Sequence, residues 1–484
     1  MFLEIIILKF SLITKMLNLQ TLILRGCRSL RELPKGIKKL VNLQFLDITY
    51  CSRLIDMFSF LGLSNDDQLT SMPLEIRHHT YLVTILPGVF VRMEDSRGQV
   101  KKGYCGSYKK KKAKSNGPSQ LKELHNLGGY LRIENLGHGK DKARECKDAN
   151  LKEKHHLQQL LLEWDASEWD AETDEMLEGL QPHPNLKALK LQYYMGVRIP
   201  SWVSSLTNLV RFGLNKNRRL QHLPLLNQLP FLKFVTLVEM EALEYIWIDE
   251  ESVSNVLGAS FSSSSSSKTS FFPSLSSLEI RYCLKLKGWW RNLDDDDNEP
   301  HHLLLPSLSE LVIDKCPNLT YMPAFPYLKE RLELSGCSWK VLEQTMKMKM
   351  GAATTSTYFT LSQLQKLQLD QISNFDSLPE EGLRNLISLK ELYIQSCDGL
   401  VSLPWIGILT SLQTLKIMRC PNLTSLPQEI RNLTSLKELY ISGSPNLMSI
   451  PQDIRNLTFL KELYISGCPN LTTLPQEIRN LPLI

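Results

Sequence analysis

Ten cysteines are the residues of this chain best suited by type to chemistry, either as disulfide partners or as metal ligands. Their spacing argues against both. Cys27, Cys51, Cys283, Cys316, Cys397, Cys420 and Cys468 each stand eight residues after a leucine, and Cys337 stands three after Leu334, in the same column. Only Cys105 and Cys146 fall elsewhere. Histidines occur in pairs at 78–79, 155–156 and 301–302, with no cysteine or carboxylate at metal-ligand spacing. Gly137-His-Gly-Lys140 is too short for the G-x-x-x-x-G-K-[ST] loop that cradles phosphates. The aspartates from Asp294 to Asp297 lack the glycine and the spaced glutamate of a calcium loop, and read as a solvated loop. No catalytic, cofactor-binding or metal-binding residue is therefore expected.

Composition narrows the class further. The chain has 484 residues, of which 43% are hydrophobic and 22% charged, so it is globular rather than disordered. A net charge of +5 over this length does not by itself imply nucleic acid. The exception is local. Ser96 to Ser119 holds seven lysines and four glycines and almost no aliphatic side chains to bury. A solvated loop is the favoured reading of the 101–114 lysines, with a nuclear-import or nucleic-acid patch as the competitor. No apolar run reaches the 18 or so residues that a membrane span needs.

The cysteine column points to the elements that must position it. From Leu412 to Leu481 one pattern is written three times, with Leu412, Leu436 and Leu460 in the same place 24 residues apart. Each copy opens L-x-x-L-x-I, passes Cys420, Ser444 or Cys468, and closes on L/I-P-x-x-I-x-N-L. Self-similarity at this period is the signature of leucine-rich repeats. Side chains on a strand alternate between faces, so the leucines enter a core and the residues between them face outward. The proline half returns the chain outside the sheet, where a fixed φ and a missing N–H cost nothing. In the Cys column a small inward group closes the strand. Stacked strands lie about 4.8 Å apart, so geometry does not forbid bridges, but a column of free thiols in a reducing compartment is the preferred reading.

The same pattern, less regular, runs through the rest of the chain. Repeats over 1–95 begin with a truncated unit; the apolar start is broken by Glu4 and Lys9 and lacks the marks of a signal peptide. The basic loop occupies 96–119, and middle repeats fill 120–257 with a helical and acidic insertion. A helix is expected from Asp141 to Lys154, and a second, short one ending at Leu180. A Ser-rich insertion at 258–270 is expected to be disordered, repeats resume over 271–338, and 339–360 reads as another insertion. Regular C-terminal repeats run over 361–484 and end with no visible capping unit, as in a chain that is part of something larger. The expected architecture is an α/β repeat solenoid of about sixteen strands. It is a horseshoe with a parallel concave sheet and a mostly irregular or short-helical convex side.

A concave sheet of this kind binds macromolecules. In the last repeats Lys390, Lys437 and Lys461 form one row, Glu391, Glu438 and Glu462 a second, and Tyr393, Tyr440 and Tyr464 a third. The repeat at Leu412 breaks all three rows with Gln413, Thr414 and Lys416, and adds Met418 and Arg419. Tyrosine and arginine are favoured anchors of protein interfaces. Tyr393, Lys416, Met418, Arg419, Tyr440 and Tyr464 are thus the candidate partner-binding residues. The competing reading is that adjacent Lys and Glu rows neutralise each other and the tyrosines merely cover the sheet. Five N-L-T sequons, at Asn318, Asn422, Asn432, Asn456 and Asn470, come from the repeat pattern and would matter only in a secreted chain.

Three stretches carry a family resemblance. LNLQTLILRGCRSLRELPKGIKKLVNLQFLDI, LKELHNLGGYLRIENLGHGKDKARECKDANLKEKHHLQQLLLEWD and CPNLTSLPQEIRNLTSLKEL resemble the early, middle and late repeats of plant nucleotide-binding disease resistance proteins of the coiled-coil class. The middle stretch is the most specific. The resemblance implies a non-enzymatic sensor and autoinhibitory part of an intracellular immune receptor, cytoplasmic, with nuclear import left open by the lysine cluster. Its partners would be a pathogen effector or a guarded host protein and, in an intact receptor, its own nucleotide-binding domain. The sequence contains neither a P-loop nor a coiled coil, so no ATP binding by these residues is implied. An extracellular leucine-rich-repeat receptor ectodomain is the alternative. Its plant examples favour a glycine before I-P and paired-cysteine caps. A scaffold or adaptor without an immune role is a third reading.

Overall fold

Alternation of leucine with polar residues builds a stack of short parallel strands. The computed structural model describes residues 118–247, 272–290, 305–347, 361–373 and 380–476, with short gaps, and upstream of them Leu19 and four short strands. Cys27, Cys51, Cys105, the 101–114 lysines, the 258–270 segment and Asp294 to Asp297 lie outside the described residues. The chain forms two compact units, Met1–Leu220 with Pro224–Leu232, and Lys233–Ile484 with Gln221–Leu223.

In the first unit β1 (Thr21–Ile23), β2 (Phe45–Asp47) and β3 (Thr84–Leu86) pair in parallel. Thr21 lies opposite Phe45, so the 24-residue sequence period is one strand step. A second parallel set follows in chain order: β4 (Val89–Arg92), β5 (Gly129–Leu136), β6 (Leu157–Trp164), β7 (Ala188–Gln192) and β8 (Arg211–Asn215).

The helix expected from Asp141 to Lys154 is two pieces, an α-helix at Lys142–Asp148 and a 3₁₀ turn at Leu151–Glu153. Asn150 separates them at φ +48°, a left-handed residue that no α-helix accommodates. The short helix expected before Leu180 is Thr173–Gly179. It ends on Gly179 against the first helix, where an added methyl would stand 3.0 Å from the Lys147 nitrogen.

Lys154 is fully buried in this unit. Its ammonium donates to the carbonyl oxygens of Leu121 at 2.7 Å and Lys122 at 3.3 Å, at the end of the 3₁₀ helix Pro118–Leu121. The Leu121 carbonyl also accepts from the Leu124 N–H at 3.0 Å, so the ammonium takes its second lone pair. Tyr194 packs edge-on against Trp164 with ring centroids 4.9 Å apart, and its hydroxyl reaches Asp174 and the Arg198 carbonyl.

The second unit carries nine parallel strands in chain order: β9 (Phe234–Val238), β11 (Ser277–Arg281), β13 (Glu310–Asp314), β14 (Arg331–Ser335), β15 (Lys366–Asp370), β16 (Glu391–Gln395), β17 (Thr414–Met418), β18 (Glu438–Ser442) and β19 (Glu462–Ser466). A separate two-stranded parallel pair, β10 (Tyr245–Trp247) with β12 (Gly288–Trp290), lies on the return side of the repeats and is not announced by the leucine pattern. The stretch expected to be an insertion after Trp339 opens with a helix, Lys340–Lys347, whose Val341, Leu342, Thr345 and Met346 are buried. Their spacing of one, three and one lies along a single helical face.

One repeat shows what holds the stack. Leu412, Leu415, Ile417, Cys420, Leu423, Leu426, Ile430 and Leu433 are all buried. Each buried Leu or Ile contributes roughly 1.5–3 kcal/mol, and only with a neighbouring repeat against it.

The residue after each strand explains the cysteine column. Glu239, Tyr282, Lys315, Gly336, Gln371, Ser396, Arg419, Gly443 and Gly467 all take φ between +49° and +65°. That left-handed step lets the backbone N–H reach the next strand, as in Arg419 N to Ser442 O at 2.7 Å and Gly443 N to Ser466 O at 2.9 Å. It also turns the following side chain inward. A non-glycine residue held there costs about 1–2 kcal/mol.

Candidate recognition surface

Parallel register without slippage aligns the outward residues of the second unit into columns. Along the centre of the strands, Glu333, Gln368, Tyr393, Lys416, Tyr440 and Tyr464 are successive partners. The Lys416 ammonium lies 5.2 Å from the Tyr393 ring centroid and 4.5 Å from that of Tyr440. On the other side of Tyr393 stands Lys366, 4.3 Å from the same ring. Tyr440 in turn faces Tyr464, with centroids 5.8 Å apart and rings tilted by 36°. Lys366, Tyr393, Lys416, Tyr440 and Tyr464 therefore form one ladder of cations and rings across five strands. Each cation–ring contact contributes about 0.5–1 kcal/mol at an exposed site and, equally, restrains the lysine stem.

Carboxylates brace the ladder from the first strand position, where Glu391, Thr414, Glu438 and Glu462 align. Lys366 pairs with Glu391 at 3.0 Å, and the Tyr393 hydroxyl donates to the same carboxylate at 3.0 Å. Burial pushes the Glu391 carboxyl up, but the Lys366 ammonium, the Tyr393 hydroxyl and the Lys416 charge outweigh it and hold it below the ordinary range. Burial and the bond to Glu391 push the Tyr393 phenol up to about 12. The Tyr440 hydroxyl donates to Glu462, which pushes that phenol up to about 12. Both tyrosines are thus protonated donors at neutral pH.

Of the six residues expected to bind a partner, four meet in the ladder: Tyr393, Lys416, Tyr440 and Tyr464. Met418 lies on the same face at the strand end, between Gln395 and Ser442 in register. Arg419 is not on the strand. It occupies the left-handed position beyond it, at φ +53°, and is exposed. Its stem lies against the next repeat, where a methyl on Gly443 would come within 3.2 Å of Arg419 Cγ.

The rows of Lys390, Lys437, Lys461 and of the glutamates do not cancel by pairing. Among the described residues the ion pair joining the ladder to the glutamates is Lys366–Glu391, and Lys437 bonds Gln413 at 3.0 Å instead. Lys366 is the ladder member that the repeat-by-repeat reading left out. It opens the plain strand Lys366-Leu-Gln-Leu-Asp370, and its contact with Tyr393 is diagonal rather than along a row. Upstream the face is more tightly paired. Arg281 bonds Glu279 and reaches Asp314 at 3.3 Å, while Arg331 bonds Glu333 and donates to Gln368 at 2.9 Å.

The thiols point inward below this face. Cys283, Cys316, Cys337, Cys397 and Cys420 are buried and Cys468 is half-buried, all as free thiols. Each sulfur lies 3.2–3.6 Å from the carbonyl oxygen two residues back. Burial pushes Cys397 up to about 12 and Cys337 and Cys420 up to about 11. Ser444 fills the same column, and its buried hydroxyl has no hydrogen-bond partner among the described residues.

Among the described residues no group of three or more His, Cys, Asp or Glu side chains could hold a metal ion. His155 instead meets His183 edge to face, with centroids 4.4 Å apart. No helix among the described residues is long and apolar enough to cross a membrane.

Comparison with known proteins agrees with this architecture. The profile of R13L1/DRL21 leucine-rich repeats matches residues 119–240 and 381–444, and that of the general leucine-rich repeat matches 459–481. The putative disease resistance RPP13-like protein 1 of Arabidopsis thaliana is 29% identical over 62% of this chain and 30% of its own length. The disease resistance protein RGA2 of Solanum bulbocastanum is 32% identical over 59% of this chain and 25% of its own length. The chain thus spans about a quarter to a third of these relatives. A solved leucine-rich-repeat protein of Leptospira interrogans aligns over 98% of both chains at 18% identity, with a TM-score of 0.45.

Proposed function

Since the chain is a leucine-rich-repeat region of the plant disease-resistance type, we propose that it is a non-enzymatic recognition surface within an intracellular immune receptor. Its ligand is a protein, a pathogen effector or a host protein that an effector alters. The binding face is the outward side of β15 to β19. The observation that carries this reading is the ladder of Lys366, Tyr393, Lys416, Tyr440 and Tyr464. Its members are braced by neighbouring repeats: Lys366, Tyr393, Lys416 and Tyr440 are half-buried, and Tyr464, on the last strand, is 51% exposed. Large, rigid side chains lose little freedom on binding, which is why they dominate interface energetics.

A column of buried free thiols suits a reducing compartment. The relatives named for disease resistance supply the biological setting.

The test is binding by the double variant Tyr440→Ala/Tyr464→Ala. A partner recovered with the wild-type chain and then purified should bind the variant at least about tenfold more weakly, on the scale of one lost anchor. The melting temperature should stay close to wild type, because neither ring enters the core. Equal affinity for both chains would exclude this face.

A further inference from the structure

We propose that the repeat at β17 is an acid-reading anchor, with Lys416 and Arg419 taking two carboxylates of an extended segment of the partner. This rests on the recognition role proposed above and assigns its chemistry.

Besides the exposed row of Lys390, Lys437 and Lys461, six cations lie along the strands of the second unit or just past their ends. Arg281, Arg331 and Lys366 are already bound to carboxylates of the chain. Among the described residues Lys315, Lys416 and Arg419 make no ion pair, and the last two belong to one repeat. Lys416 is held between two tyrosine rings, with its ammonium 5.2 Å and 4.5 Å from their centroids. Arg419 keeps the left-handed backbone that Gly443 and Gly467 adopt in the next two repeats. Its stem is laid along Gly443, which restrains where the guanidinium can reach.

Arg419 stands one residue past the end of β17 and three from Lys416, so their Cα atoms are at most about 10 Å apart. Two acidic side chains two to four residues apart in an extended segment match that span. Met418 lies between the two cations and offers an apolar contact.

A nucleic acid fits less well. Glu391 and Glu438 stand on the two strands that flank Lys416, with Glu462 one strand further, and they would repel a continuous phosphate backbone.

The experiment is selection of a displayed random dodecapeptide library on the full chain, followed by titration of the selected peptides as synthetic samples. Acidic peptides are expected to be enriched. Their affinity should fall at least about tenfold on Lys416→Glu/Arg419→Glu, and less on Lys416→Gln/Arg419→Gln, and should weaken with added salt. The glutamine pair keeps the test decisive if charge reversal disturbs folding, which circular dichroism monitors. Selected peptides without acidic residues, bound equally by the charge variants but lost on Tyr440→Ala/Tyr464→Ala, would overturn the acid assignment and leave the recognition role standing. Peptides indifferent to both pairs of substitutions would overturn both. Displacement of acidic peptides by a twenty-nucleotide thymidine oligonucleotide at lower concentration would assign the site to phosphate instead.

Discussion

Lys366 shows how much of the surface depends on single side chains. It joins Glu391 to the ladder and covers one face of Tyr393. Both ends of the pair are partly exposed, so its contribution is about 0.2–1 kcal/mol. The pH dependence has a defined sign. Glu391 is held below its ordinary 4.5 in the folded chain, so the stabilisation is present above that value and is lost as pH falls through the folded pKa. Lys366→Met should therefore be less stable than wild type at neutral pH, and the gap should narrow as pH falls below 4.5, leaving the part owed to the Tyr393 ring contact. Urea melts at neutral and acid pH measure it; a gap of the same size in acid contradicts the assignment. The sequence revealed Tyr393, Tyr440 and Tyr464 as a row because identical residues recur at one interval. It did not reveal Lys366, whose contact is diagonal and comes from a strand of different sequence.

The strands were legible because leucine marks every inward position. What lies just past them was not. The left-handed position holds Glu239, Tyr282, Lys315, Gln371, Ser396 and Arg419 as well as glycines, so no residue type announces it. Gly443→Ala should cost about 1–2 kcal/mol from backbone strain alone, with crowding against Arg419 in addition. A change within error in denaturant melts would show that the position relaxes. Two residues past the ends of six strands, a thiol in the inward column bonds its own strand. Ser444 places an unpartnered hydroxyl there instead. Ser444→Cys should stabilise the chain by about 1 kcal/mol, the lower end of the penalty for a buried polar group without a partner. Destabilisation would mean that the hydroxyl is better accommodated than its surroundings indicate. The helix Lys340–Lys347 was concealed by composition: lysines and methionines read as an insertion, although the spacing of its buried residues is helical.

At the scale of the whole molecule, a repeat protein places function on a surface assembled from many units, each contributing three outward residues per strand. Sequence period is enough to say which residues share that surface. Which of them touch depends on register from β15 to β19, and that register turns separate rows into one cation–ring ladder. The most direct measurement is oxidative footprinting of side chains with and without a bound protein partner. Tyr440, Tyr464 and Met418 should be protected on binding. Met448 and Phe459, which are 59% and 64% exposed and lie outside the strands, should react unchanged. Protection of Met448 and Phe459 with full reactivity at Tyr440 and Tyr464 would place recognition on the return side of the repeats and contradict the account.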